Sequence, residues 1–94
     1  MENLNNDALG FEQFKIDEQL SSLLSQILGG YARLAFKARQ QVYNNPRIFE
    51  FQHRFDEIGK IKSKIKHYSY QQKAEEIQKF QAELKDVLLK ERSL

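Results

Sequence analysis

From Ile16 onward the apolar residues Ile16, Leu20, Leu23, Ile27, Tyr31, Leu34 and Ala38 recur at spacings of three and four, with Leu24, Leu28 and Ala35 beside them. That period marks one face of a helix. The phase runs straight through Gly29 and Gly30, although each glycine costs a helix interior about 1 kcal/mol. Two architectures follow: one long helix from about residue 17 to 43, or a bend at the glycine pair that makes two shorter helices. The unbroken phase favours continuity. Asn44, Asn45 and Pro46 then break the pattern, because proline disfavours helix before it yet suits the first position of a new one, with Asn45 as N-cap.

The next helix gathers Ile48, Phe51, Phe55, Ile58, Ile61 and Ile65 on one face. It ends near His67–Tyr70, where Ser69 followed by Gln72 fits a reciprocal cap for a last helix carrying Ala74, Ile77, Phe80, Leu84, Val87 and Leu88. A short turn sets these two helices antiparallel, with Phe51, Phe55, Ile58, Ile77, Phe80 and Leu84 as their shared core. The pattern predicts an all-α fold: a helical bundle in which a long or kinked first helix packs on an antiparallel helical hairpin. Residues 1–10 hold too few apolar positions to bury and read as a flexible N-terminal tail, leaving 11–94 as a single helical domain.

Composition narrows the chemistry. The 94 residues contain no cysteine, which removes disulfides, thiolate zinc sites and iron–sulfur clusters. No apolar run is long enough to cross a bilayer, and the polar, acidic amino end does not read as a signal segment, so a cytoplasmic protein without membrane contact is expected. His53 and His67 are too far apart for a helical ligand pair, and the glycine pair lacks the trailing Lys-Ser/Thr of a phosphate loop. Glu75 and Glu76 suit a helix start among lysines rather than a cleft for acid–base chemistry. No enzyme, cofactor, metal or small-molecule substrate is expected.

Charge is segregated although the net is only +2: residues 1–30 hold five acids and one base, and 31–66 hold nine bases and three acids. Such a chain can pair its own halves, pair with a second copy, or face nucleic acid. Lys60, Lys62, Lys64 and Lys66 fall into two rows about Ile61 and Ile65, and cations also suit a helix carboxyl end in their own right. Phe36 and Phe49 lie off the main apolar stripes, at positions exposed until a partner covers them.

From Tyr31 onward the chain resembles the YlbF/YmcA group of small helical bacterial regulators. The resemblance rests on an Ala-containing amphipathic helix ending at Asn45–Pro46, on Phe51 and Phe55, and on Lys66-His67-Tyr68, Glu75-Glu76-Ile77-Gln78 and Ala82-Glu83-Leu84. It implies a helical oligomer that acts by holding other proteins, including partners of RNA-processing machinery. The absence of cysteine departs from members that hold iron–sulfur clusters.

The sequence therefore predicts a non-enzymatic protein–protein interaction or regulatory protein that works through apolar, coiled-coil-like helix faces and self-associates as a homodimer. The expected contact residues are Leu20, Leu23, Leu24, Ile27, Leu28, Tyr31, Leu34, Phe36 and Phe49. Two antiparallel first helices would set Glu12, Asp17 and Glu18 against Arg33, Lys37 and Arg39. The alternative is a nucleic-acid-associated accessory protein using Arg33, Lys37, Arg39, Arg47, Arg54, Lys60, Lys62, Lys64 and Lys66.

Overall fold

The computed structural model describes residues 2–41 and 45–94, with the side chains of residues 10–41 and 45–94. Among the described residues there are three helices, α1 (Glu2–Gln41), α2 (Arg47–Lys64) and α3 (Tyr70–Ser93), and a 3-10 turn, Ile65–His67, between the last two. No strand occurs among the described residues. Asn44 lies outside them; Asn45 closes the start of α2, its Oδ1 accepting from Arg47 N at 3.0 Å and its carbonyl from Ile48 N at 3.0 Å. Pro46 already has helical backbone angles, so its missing N–H costs nothing there. Ser69 caps α3 by accepting from Gln72 N at 3.1 Å, which is the backbone half of the expected reciprocal cap.

The first helix is continuous through Gly29 and Gly30, and no described glycine adopts a positive φ. Gly30 is buried where α3 crosses, and a methyl group there would run into Val87 Cγ1. On the neighbouring Gly29 a Cβ would meet only the end of the Arg33 side chain, 3.2 Å away. One glycine is therefore a spacer and the other only a weak helix former. Gly29→Ala should stabilise the chain by up to about 1 kcal/mol. Gly30→Ala should lower stability by about 1 to 3 kcal/mol through overpacking. Urea midpoints check the pair, and equal shifts of the same sign would contradict the close α1–α3 crossing.

The two arms pack along α1 far more than against each other, so α1 is the hub. Its direction relative to α3 is parallel: Lys73 Nζ meets Asp17 Oδ1 at 2.7 Å near one end, and Gln41 Nε2 donates to the Leu94 carbonyl at 2.7 Å near the other. α2 runs back between those ends, with Arg39 bonded to Gln52 and Lys62 to Ser25. A 40-residue helix is about 60 Å long, matching the 63 Å length of the molecule. Its amino-terminal turns, which include residues 2–10 read from sequence as a tail, extend past the start of α3 opposite Asp17.

The core takes Leu20, Leu23, Leu24, Ile27, Tyr31, Leu34, Ala35 and Ala38 from α1, Phe51 and Ile58 from α2, and Ile77, Phe80 and Val87 from α3. Phe55 and Leu84 are only partly buried against it, because α2 and α3 diverge around α1 instead of sharing a seam of their own. The same placement bears on the residues of the expected self-association seam. Leu20, Leu23, Leu24, Ile27, Tyr31 and Leu34 are buried and Leu28 half-buried within one chain, covered by its own arms.

Candidate interaction surface

All three helices meet at one polar cluster. Tyr31 of α1 donates its hydroxyl to Glu83 Oε2 at 2.6 Å, while Arg54 of α2 donates Nε to Oε2 and Nη2 to Oε1, both at 2.7 Å. The two parallel N–H···O bonds are the fork geometry in which guanidinium and carboxylate bind most strongly. Burial works to raise the pKa of Glu83, but hydrogen bonds from Arg54 and Tyr31 outweigh it and hold the carboxyl below its usual value. Burial, followed by the bond to Glu83, pushes the Tyr31 phenol above its ordinary range. The bonds that Arg54 donates to Glu83 raise the Arg54 pKa above its ordinary value, so its guanidinium stays charged. The cluster ties the three helices to one another. Arg54 of the predicted basic set and Tyr31 of the predicted contact set are both bonded to Glu83 here. Glu83 was invisible to pattern reading because it sits three residues before Asp86 in an ordinary amphipathic repeat.

Other predicted cations are also committed within the chain. Arg33 Nε pairs with Glu91 Oε1 at 2.7 Å, Lys37 Nζ reaches the Glu91 carbonyl at 3.3 Å, and Arg39 Nη2 reaches Gln52 Oε1 at 3.4 Å. Lys62 Nζ donates to Ser25 Oγ at 2.9 Å. Among the described residues, Arg47, Lys60, Lys64 and Lys66 form no ion pair. His53 lies 3.6 Å from Glu57 on an exposed helix surface, and His67 closes the 3-10 turn.

Unpartnered apolar surface is concentrated elsewhere. Phe36 is 59% exposed and Phe49 80% exposed, as their positions off the main stripes imply. Phe11 and Phe14, at 59% and 62%, join them from the projecting end of α1. Lys15 Nζ lies 4.7 Å from the centre of the Phe11 ring, a cation–π contact that leaves most of the ring open. Sequence reading passed over Phe11 and Phe14 because they fall outside the dominant stripe. Their signal was their phase: counted at helical spacing, Phe11 and Phe36 share the side of α1 opposite the core.

Compared with protein-family models, with curated proteins and with solved structures, the chain matches none. Among the described residues, no helix is long and apolar enough to cross a membrane.

Proposed function

We propose that this is a non-enzymatic protein–protein interaction module whose outward α1 face and α2 start seat another protein chain, beginning with a second copy of itself. The observation that carries the reading is the exposure of four phenylalanines on a 94-residue fold whose core is already closed. Phenylalanine side chains left in water forgo about 1.5 to 3 kcal/mol each relative to burial, so their removal from solvent is a strong drive to associate. The resemblance to the YlbF/YmcA regulators, which implies an oligomer that holds other proteins, points the same way. Light scattering across a concentration series tests it. The expected mass is that of two 11.2 kDa chains at high micromolar concentration, and a mass fixed at one chain would overturn self-association.

The second reading, nucleic-acid contact, keeps one specific support: Arg47, Lys60, Lys64 and Lys66 lack carboxylate partners among the described residues. Phosphate binding would weaken steeply with salt through counterion release, whereas an apolar interface would hardly change. Absence of a gel shift with RNA and DNA at low salt would remove this reading.

A further inference from the structure

The side of α1 turned away from the core carries its own regular pattern, with Lys62 of α2 reaching its Ser25 at 2.9 Å. Glu18, Ser22, Ser25, Gly29, Ala32 and Phe36 follow one another at alternating spacings of four and three, and Phe11 and Lys15 continue the series toward the amino end. That is the spacing of a coiled-coil seam. All of these residues are exposed except Gly29, which is intermediate. The series is symmetric about the point midway between Ser22 and Ser25, with a phenylalanine at each end and small residues at the middle. A sequence symmetric in this way meets itself in register when a second copy runs antiparallel.

We propose that a second copy of this chain occupies the outward face of α1, antiparallel, with the twofold axis between Ser22 and Ser25. This rests on the self-association reading above and assigns it a face and a register. In that arrangement Phe11 of one copy meets the partner's Phe36 at each end of the seam, Lys15 lies opposite the partner's Ala32, and Ser22 lies opposite the partner's Ser25. The small central side chains let the two helix backbones approach, as helix packing at short interaxial distance requires. Charge favours this direction on balance, since residues 12–18 hold three acids against the one cation Lys15. The acidic Glu12 and Glu18 face the half of the partner that carries Arg33, whose side chain is still 57% exposed despite its bond to Glu91. A parallel pair would instead set Glu12 and Glu18 against their own copies, which like-charge repulsion disfavours. One closed twofold contact also leaves the Tyr31–Arg54–Glu83 clamp and the core untouched, since both lie on the opposite side of α1.

The chain has no cysteine, so introduced thiols report the register without interference. A disulfide needs Cα atoms within about 7 Å. Lys15→Cys and Ala32→Cys, both on exposed side chains, should form a disulfide-linked dimer of doubled mass when the two variants are mixed and oxidised. Either variant alone should remain uncross-linked, because its copies stand about 25 Å apart along the seam at 1.5 Å per residue. Light scattering of the reduced variants separates the two levels of failure. Reduced variants that scatter as monomers while the parent also does would overturn both self-association and this face. A reduced dimer that cross-links with either variant alone, or fails to cross-link in the mixture, would overturn only the antiparallel outward-face arrangement.

Discussion

Leu24→Glu is expected to unfold the chain rather than merely separate two copies. Leu24 is fully buried at the middle of α1, between arms supplied by the same molecule. Removing a buried leucine side chain costs about 3 to 5 kcal/mol in transfer and cavity terms. Placing a carboxylate in the same apolar site adds a desolvation penalty, since no described cation is bonded within that part of the core. Domains of this size hold roughly 5 to 15 kcal/mol in total, so the sum consumes most or all of it. Circular dichroism should show helix content collapsing at every protein concentration. A Leu24→Glu protein that stays helical as a monomer would contradict the intramolecular packing and return the leucine stripe to a contact between chains.

Loss of the clamp is expected to have the next largest effect. Glu83→Ala leaves the Arg54 guanidinium and the Tyr31 hydroxyl without their acceptor, and three helices lose their common tie. Breaking a fully buried pair costs about 3 to 5 kcal/mol, but Arg54 keeps a third of its side chain in solvent, so about 2 to 3 kcal/mol is the expected loss. Replacing all three by apolar residues of similar size, Tyr31→Phe with Arg54→Met and Glu83→Leu, should recover most of it, because no charge is then left unpaired. The pH dependence carries the same signature. Glu83 is depressed in the fold, so its contribution is complete above the unfolded value of 4.5 and drains away as pH falls through its lower folded value. Tyr31 is raised, so its contribution is complete below 10.0 and is lost as pH climbs above that, where only the unfolded chain gives up the proton. Urea midpoints of the parent and Glu83→Ala measured across pH should differ most on the plateau between these limits and converge at acid pH. A constant difference down to pH 3 would mean that Glu83 is not the titrating member.

The fold was largely legible because its determinants are local. Ile16 to Ala38 keep one helical phase, Pro46 and Ser69 mark the two breaks, and these alone set three helices and their order. Continuity through Gly29 and Gly30 was readable from phase, but the reason for Gly30 was not, since it lies in Val87 of a helix more than fifty residues further on. The proposed interaction surface was less legible. Sequence identifies the strongest apolar stripe and cannot say whether the chain's own arms or a second copy covers it. Here the arms cover it, and the weaker series through Phe11, Ser22, Ser25 and Phe36 is what remains exposed. Basic residues misled for a related reason: Arg33 and Arg54 look free in a charge count, yet Glu91 and Glu83, distant in sequence, neutralise them in space.

The proposed division between an inward face that holds the fold and an outward face that seats a partner is tested most directly by light scattering of Phe11→Ser/Phe36→Ser, with helix content read on the same samples. Both side chains are exposed in the single chain, so their replacement should leave the helices intact, within the small range usual for surface changes, about 0.5 kcal/mol per site. The predicted result is a fully helical protein with the mass of one chain at concentrations where the parent has the mass of two. A variant that still dimerises, or one that loses its helices, would contradict the account.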